Sequence, residues 1–467
     1  MDRIDHAADQ HQLPHNPSQH RRALLTGIGG LAAGAIITAR TARAGPLDPP
    51  AGPVTSTPGP EPRTPVNSTN TPGDANSLFV ITQPGSYYLP RNVAGVSGKH
   101  GIKILANHVT LDLTGFALSG VAGSLSGITT DGNFVRGLDI RNGDINSWGA
   151  NGITLSGFGH ALDHLRLFNN GNHGLAAVLD THLQSCTALS NTVNGFDGGN
   201  NAKFENCRAS SNGNNGFHCG DGVWADSCLA SGNGNMGFDC EVNASFFRCT
   251  AKANQSVGLR CLYNAVIDSC HAMDSVQSSG ISLGSACSVT NCVASNNRDQ
   301  GIRSFGVSCT VSNCAVNACA YGISVGSGSV VIGSTATDCV ERGITVDDGA
   351  VVEACTARGN GSSGILASSN CTVRANNSTN NGGPGISASF GNRIEANNCL
   401  NNPVGISVTG IVNIVLGNTC RANTTNFSIV ASNRVGPIVV PPLSGAINGN
   451  SGAAGLGSTD PWANFAF

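Results

Sequence analysis

The chain has 467 residues, with 25 Lys and Arg against 28 Asp and Glu, a formal net charge of −3, and 5% aromatic residues. No basic stripe runs along it, which excludes the electrostatic footprint of a nucleic-acid-binding protein. With 62 glycines and few large side chains, the core must be built from small residues and stabilised by repetition.

Residues 1–44 have the composition of an export signal. The pair Arg21-Arg22 precedes a weakly apolar run from Leu24 to Ile37, and an Ala-Arg-Ala sequence predicts cleavage after Ala44. This run is too short to span a bilayer comfortably, so no transmembrane span is expected in the mature protein. The mature chain would keep 20 basic and 25 acidic residues.

The paired arginines resemble a twin-arginine export signal. His20 departs from that pattern, because the family usually has Ser or Thr before the pair, and an ordinary secretory signal is the alternative. Either route predicts an exported protein of the periplasm, the cell surface or the extracellular space.

The rest of the chain divides by composition. Residues 45–77 hold nine of the 19 prolines together with many Ser and Thr, which predicts a stiff, disordered spacer. Short apolar runs over residues 78–89 predict a strand pair that covers the first coil of a repeat domain at 78–430. Residues 431–467 break the period and are expected to cap the other end.

A Gly followed by an apolar residue returns along the whole repeat domain. The first intervals, such as that from Gly101 to Gly127, are wider than the later ones, and from Gly174 onward the markers recur about every 21 residues. A fixed short period of this kind predicts a solenoid, with one coil for each repeat. The marker glycines are Gly101, Gly127, Gly152, Gly174, Gly195, Gly216, Gly237, Gly258, Gly280, Gly301, Gly322, Gly343, Gly364, Gly385 and Gly405.

Each repeat contains short alternating segments between Gly and Asn residues and shows no helical periodicity. A leucine-rich repeat has a similar period, but its Leu spacing is absent. The pattern predicts an all-β, single-stranded parallel β-helix of about 15 coils. One column is interpreted as tight turns whose amides bond to the neighbouring coil: Asn191, Asn212, Asn233, Asn254, Asn297, Asn360, Asn381, Asn402 and Asn423.

These columns resemble the right-handed parallel β-helix, or pectin-lyase-like, superfamily over about residues 78–430. Two phrases, Gly-Ser-Tyr-Tyr-Leu at 85–89 and Val-Thr-Leu-Asp-Leu-Thr-Gly-Phe at 109–116, resemble a group of exported bacterial β-helix proteins of no established activity. The resemblance implies that a sugar chain could bind along an outer strand face. The Gly-His-Gly motif of galacturonases and the Asp-Pro-His signature of alginate epimerases are both absent.

The 18 cysteines would suggest disulfides in an exported protein. Their columns instead predict inward-facing free thiols that act as small hydrophobic residues, because neighbours in one column have parallel side-chain vectors. Only Cys319 and Cys339 replace turn Asn residues. A metal ladder is the alternative, but the short Cys-x-x-Cys spacing of such sites is missing.

The residue two positions after each marker Gly is expected to face solvent. Four successive coils would then present an acid, an imidazole, an acid and a guanidinium in a line, about 4.8 Å apart. The histidines at 160, 164, 173 and 182 share no column, so no joint site is predicted from them. The row runs through Ala176, Asp197, His218, Asp239, Arg260, Ser282 and Arg303.

The row supplies the groups that a lyase or epimerase of acidic glycans would need. Arg260, or a calcium ion held by Asp197 and Asp239, would neutralise a uronate carboxylate. His218 would be the base and Tyr263 the proton donor. A hydrolase is less well matched, because the two Asp carboxyls, two coils apart at roughly 10 Å, lie at the wide end of the inverting range.

The alternative to catalysis is an exposed, alternating charge ladder that binds a partner. We expect an exported β-helix that binds a polysaccharide or another cell-surface partner without catalysis, through Asp197, His218, Asp239, Arg260 and Arg303. The enzyme is the second hypothesis, and no other cofactor is predicted. A row that lies open would favour the binder, and a row enclosed by loops would favour the enzyme.

Overall fold

The structure, a computed structural model, describes residues 63–441, 443 and 458–467. These residues form a right-handed parallel β-solenoid of about 18 coils with a period of about 21 residues, which confirms the predicted fold class. The predicted number of 15 coils is too low, because the first and last coils lack the Gly marker. The described residues contain no helix, and so none that could cross a membrane. The predicted export signal lies outside the described residues.

Each coil has three strand positions, and each position stacks into one face of the solenoid. The first face, which contains the strands that follow the marker Gly, has 17 parallel strands, each paired with strands of the neighbouring coils. Its strands are Ser77–Ile81, His100–Ile104, Ile128–Thr129, Ile153–Leu155, Leu175–Ala177, Phe196–Gly199, Phe217–Cys219, Phe238–Val242, Leu259–Tyr263, Ile281–Ser285, Gln300–Ser304, Tyr321–Val325, Ile344–Val346, Ile365–Ala367, Ile386–Ala388, Val404–Val408 and Thr425–Ile429.

The second and third faces form one sheet of 34 strands, because Asp139–Asn146 and His160–Phe168 run through both. The other strands of the second face are Thr64–Pro65, Gly85–Tyr88, Val109–Asp112, Thr181–Gln184, Lys203–Glu205, Trp224–Asp226, Ser245–Phe247, Val266–Asp268, Ser288–Thr290, Thr310–Ser312, Val330–Ile332, Val351–Glu353, Thr372–Arg374, Arg393–Glu395, Ile414–Leu416 and Arg434–Val435. Those of the third face are Val93–Ala94, Ala117–Ser119, Thr187–Leu189, Arg208–Ser210, Leu229–Ser231, Thr250–Lys252, His271–Met273, Val293–Ser295, Ala315–Asn317, Thr335–Thr337, Thr356–Arg358, Asn377–Thr379, Asn398–Leu400, Thr419–Arg421, Ile438–Val439 and Asn464–Ala466.

At each corner between two faces, a single residue has a positive φ, in the left-handed region of backbone angles. In one coil these residues are Asn243, Arg248 and Ala253, with φ values of 58°, 51° and 53°. The buried Asn column lies one residue beyond such a corner, and its residues have no positive φ. The Asn residues are therefore not themselves the left-handed turn residues, whereas the predicted bonding of their amides between coils is confirmed.

The marker Gly is required by a close approach between coils. A Cβ added at Gly216 would lie 2.7 Å from the carbonyl oxygen of Gly237 and 2.7 Å from Nδ2 of Asn233. Both contacts are far shorter than an ordinary carbon contact. The repeat keeps Gly at this position because no side chain fits there.

All 18 cysteines are buried and free, as the inward columns predict for 16 of them; Cys319 and Cys339, whose state the turn column left open, are free as well. The thiols also have a polar role at the corners. The backbone N–H of Cys270 donates to Sγ of Cys292 at 3.4 Å, and that thiol donates to the carbonyl of Thr290 at 3.2 Å. Ser334 makes the same two contacts in this column, so Cys and Ser are interchangeable hydrogen-bonding residues there.

The N-terminal boundary differs from the prediction. Thr64–Pro65 pairs with Tyr87–Tyr88, and Val66 and Ser77 are 2% and 0% exposed, so the ordered solenoid begins inside the predicted spacer of 45–77. The predicted strand pair over 78–89 is the first coil itself, because its two strands extend the first and second faces in parallel. Proline content misled the prediction, since Pro is accommodated on an edge strand.

The C-terminal boundary at residue 430 is also wrong. Arg434–Val435 continues the second face, and Asn464–Ala466 adds to Thr419–Arg421 of the third. Asn464 accepts hydrogen bonds from the backbone and side chain of Asn418, so it extends the inward column that Asn376 and Asn397 occupy in earlier coils. The tail completes coils of the solenoid.

The wide coil that begins at Gly127 accommodates three extra residues at the corner between the first and second faces, because Ile128 pairs with Ile102 but Asp139 pairs with Thr110. Val135–Arg136 and Gly157–Phe158 form a small two-stranded ladder between the first and second faces. The strands on either side of this ladder remain paired with the same faces of the next coils.

Candidate functional site

The predicted polar row lies on the outer surface of the first face. Backbone pairing places Asp197 beside His218, His218 beside Asp239, and Asp239 beside Arg260. The register continues through Ser282 to Arg303. We call Asp197, His218, Asp239 and Arg260 the polar strip.

A rigid aromatic stack supports the polar strip from inside. Phe196, Phe217 and Phe238 precede the first three strip residues and point inward, with less than 2% of each exposed. The rings of Phe217 and Phe238 are stacked, with centroids 4.6 Å apart and planes 7° apart. This packing fixes the strands whose outward side chains form the strip.

Asp239 is buried, contrary to the prediction that every residue of the row faces solvent. It is 7% exposed because two neighbours cover it. Arg260 donates to its Oδ1 from Nε at 2.7 Å, and Asn215 donates to its Oδ2 from Nδ2 at 2.9 Å. Both carboxylate oxygens are thus occupied by donors from the protein.

His218 lies between acidic groups. Its Nδ1 is 3.3 Å from Oδ1 of Asp197, a charge contact without the alignment of a directed hydrogen bond. The Asp197 carboxylate raises the pKa of His218 above the ordinary value, and partial burial opposes this effect. Asp239 and Glu241 add further attraction for the protonated form.

A second column, which the sequence analysis missed, lies beside the polar strip. It consists of the residues immediately before the marker Gly, and we call Asn151, His173, Asn194 and Asn215 the pre-glycine column. The side chain of each accepts the backbone N–H of the next coil, at distances of 3.0 to 3.3 Å. A sequence signal for this column exists: polar residues recur one position before the marker Gly. The prediction considered only the residue two positions after each marker.

His173 joins the site through this column. Burial lowers the pKa of His173, which favours its neutral form. Its Nδ1 accepts the backbone N–H of Asn194 at 3.3 Å, so the neutral ring carries its proton on Nε2. His173 is therefore held as a hydrogen-bond donor. Electrostatic interactions with Asp197 and His218 also act on the pKa of His173: Asp197 raises it and His218 lowers it.

Exposed apolar side chains lie on the coils at and beyond the two ends of the polar strip. Val178, Tyr263 and Phe305, near the corner between the first and second faces, are 60%, 51% and 65% exposed. The guanidinium of Arg303 lies 3.6 Å from the ring centroid of Phe305. We call Val178, Leu262, Tyr263 and Phe305 the apolar edge.

The predicted acid and base are not brought together. Tyr263 lies three residues beyond Arg260 on one strand, and His218 lies two coils away from that strand. At about 4.8 Å for each coil and 3.3 Å for each residue, the two Cα atoms are roughly 14 Å apart. Tyr263 belongs to the apolar edge rather than to the strip.

The calcium position predicted at Asp197 and Asp239 finds no support in this geometry. The oxygens of Asp239 are occupied by Arg260 and Asn215, and His218 lies between the two carboxylates. Among the described residues no group of three or more His, Cys, Asp or Glu side chains is arranged to hold a metal ion. The residues present do not fit the ion.

The family model for the right-handed β-helix region matches residues 279–425. Among curated protein sequences none matches this chain.

Several solved structures are similar to this chain over most of its length. A double mutant of the periplasmic alginate epimerase AlgG has 11% identity and a TM-score of 0.40, over 63% of this chain and 76% of that one. The A-module of the Azotobacter vinelandii mannuronan C-5 epimerase AlgE6 has 15% identity and a TM-score of 0.28, over 75% and 89%. Pectate lyase Pel9A has 16% identity and a TM-score of 0.26, over 64% and 78%. At these scores the overlaps assign no role to any residue of this chain.

Proposed function

We propose that this chain is an exported protein that binds a polysaccharide along the first face, without catalysis. The observation that carries the proposal is the in-register polar strip, with the pre-glycine column beside it and the apolar edge at and beyond its ends. A sugar polymer offers hydroxyl groups for fixed donors and acceptors, and ring faces for apolar side chains.

The repetition of the surface favours a polymer over a small ligand. The strip presents one polar side chain for each coil, at steps of about 4.8 Å. A linear ligand that lies along the solenoid axis would therefore meet a polar side chain at every step. The strip and its flanking columns lie on a flat outer sheet face. From Gly174 to Gly301 the markers keep a nearly constant spacing, so these coils themselves contribute no inserted loop that would enclose this face.

The state of the strip residues favours binding over catalysis. Arg260 is held by Asp239 at 2.6 Å, so its charge is already balanced and not free for a uronate carboxylate. Asp197 raises the pKa of His218, so at a given pH a larger fraction of its rings is protonated than in a free histidine, and that fraction cannot act as a general base. The separation of His218 from Tyr263 leaves a lyase without its acid and base on one sugar residue.

A binding and turnover experiment on the purified mature chain tests the proposal. Immobilised neutral, amino and acidic glycans are presented to the wild type and to Asp197→Asn with His218→Gln. Binding that weakens in the variant supports the proposal. The matched control is Ser324→Ala with Thr345→Ala, which changes the same outward row several coils away.

The same glycans are then incubated with the wild type, with and without calcium. Unchanged polymers support binding without catalysis. Unsaturated or epimerised products that are lost in His218→Gln would overturn that part of the proposal and make the chain an enzyme.

A further inference from the structure

The charge around the polar strip selects among glycans. We propose that the bound polysaccharide is an amino-sugar polymer with protonated amines, rather than a polyuronate. This inference rests on the proposed function and specifies the ligand of the same surface.

Carboxylates outnumber cations along the central coils. On the outer side of the first face and its adjoining corner, residues 195–263 carry Asp197, Asp221, Asp239 and Glu241 against Arg260 and His218. Their sum is −3 with His218 neutral and −2 with it protonated. A polyanion would be repelled here, and a polycation attracted.

The lysine and the two arginines of the outward row are already paired. Arg260 is bound to Asp239 at 2.6 Å, and Arg303 lies 3.6 Å from Asp299 with its guanidinium over the Phe305 ring. Lys103, earlier in the same outward row, contacts both Asp74 and Asp131. A uronate carboxylate would have to displace one of these partners, at the cost of leaving a carboxylate unpaired.

Two carboxylates remain available to a ligand. Glu241 is exposed and follows Asp239 by two residues on one strand, so both side chains point outward. Asp221 is exposed in the preceding coil, where its Oδ1 accepts the backbone N–H of Val242 at 3.2 Å. Within the described part of the chain neither makes an ion pair. A protonated amine has three N–H donors and no acceptor, which matches such carboxylates.

The flanking columns fit the remainder of an amino sugar. The imidazole Nε2–H of His173 offers a donor to ring hydroxyls, and the apolar edge offers surface to the C–H faces of the rings. The amine groups would then lie towards Asp221 and Glu241. Recognition of the polymer therefore combines charge with contacts that any pyranose can make.

The test compares three oligosaccharides of equal length by calorimetry with the mature protein. They are β-1,4-linked glucosamine, its fully N-acetylated form and oligogalacturonate. We expect the glucosamine oligomer to bind most tightly and its affinity to fall with added salt. Tighter binding of oligogalacturonate, or equal binding of the acetylated form, would overturn the inference while leaving the proposed function intact. Failure of all three, with no binding to the wider glycan panel, would overturn both.

A pair of matched double variants isolates the two exposed carboxylates. Asp221→Asn with Glu241→Gln should weaken the glucosamine oligomer by roughly 2- to 30-fold, since an exposed ion pair contributes about 0.2–1 kcal/mol. Asp347→Asn with Asp348→Asn changes the corresponding corner several coils away, where Oδ1 of Asp348 likewise accepts a backbone N–H at 3.1 Å. This control should leave the affinity within about 2-fold. Equal losses in both double variants would mean non-specific charge attraction and would overturn the inference.

Discussion

Asn212 and Asn233 lie one above the other inside the solenoid, and Oδ1 of Asn233 accepts both the backbone N–H of Asn212 at 3.1 Å and its Nδ2 at 3.0 Å. Asn233 in turn donates to Oδ1 of Asn254 at 2.9 Å. Asn212 and Asn233 are 1% and 0% exposed. Each Asn therefore satisfies the buried polar groups of the coil before it.

Replacement of Asn233 by Ala should destabilise the fold strongly. The change leaves the buried backbone N–H of Asn212 without an acceptor and its Nδ2 with only the carbonyl of Ala188, at a cost of about 2–4 kcal/mol in the free energy of unfolding. Denaturant titration measures this loss. Asn235→Ala, which removes a half-buried amide of the same coil, should cost much less. Equal losses in the free energy of unfolding for the two variants would contradict the larger contribution assigned to the buried Asn column.

Removal of Arg260 should destabilise the fold through Asp239. Arg260→Ala leaves a carboxylate that is 7% exposed without its cation, so we expect a loss of about 1–3 kcal/mol in the free energy of unfolding. The double variant Arg260→Ala with Asp239→Asn should recover part of that loss, because the uncompensated charge is gone. A double-mutant cycle by chemical denaturation checks this. Strictly additive losses would contradict the coupling.

His218 should make stability depend on pH. Its pKa is raised in the folded state by Asp197, so the protonated ring stabilises the fold fully below its ordinary value of 6.5. The benefit is lost as pH rises through the folded-state pKa. His218→Gln should therefore be most destabilising at acidic pH and least at alkaline pH, as measured by thermal unfolding across a pH series.

His173 should show the opposite dependence. Burial lowers its pKa below 6.5, so the wild type loses stability as pH falls from 6.5 through the folded-state pKa. His173→Gln should flatten that acid-side decline, and Gln can still accept the N–H of Asn194. If both histidine variants shifted the profile in the same direction, the assigned environments would be wrong.

The thiols should be unreactive in the folded protein. All 18 are buried, so an alkylating reagent cannot reach them in the folded protein. At Cys339 and Cys355 burial also raises the pKa to about 11, which removes the thiolate of these two residues at neutral pH. Intact mass after treatment with iodoacetamide should show no adduct on the native chain and 18 in denaturant. Cys292→Ser should keep stability better than Cys292→Ala, because Ser334 already fills an equivalent corner.

Counting residues was enough to place the strip. The coils that begin at Gly195, Gly216 and Gly237 are equal in length, so Asp197, His218 and Asp239 had to become vertical neighbours once the solenoid was assumed. The same constant spacing allowed the cysteines to be assigned to columns that face the interior of the solenoid. Where spacing is constant, position in the chain determines position on the face.

Counting could not place side chains that extend sideways between columns. The burial of Asp239 depends on the reach of Asn215 from a different column, and the involvement of His173 depends on which ring nitrogen its neighbour uses. At the N-terminus, composition alone suggested disorder for Val66, which is 2% exposed beneath the first coils. These features arise from side-chain direction and local packing, which a periodic pattern does not encode.

The ladder of Val135–Arg136 and Gly157–Phe158 has a practical meaning for protein engineering. It shows that a corner between the first and second faces tolerates added backbone while the sheets continue undisturbed on either side. The corresponding corner at Asn264, next to the apolar edge, is therefore a suitable point for splicing in a designed loop. Such a graft would convert an open surface into a walled cleft without altering the scaffold that carries it.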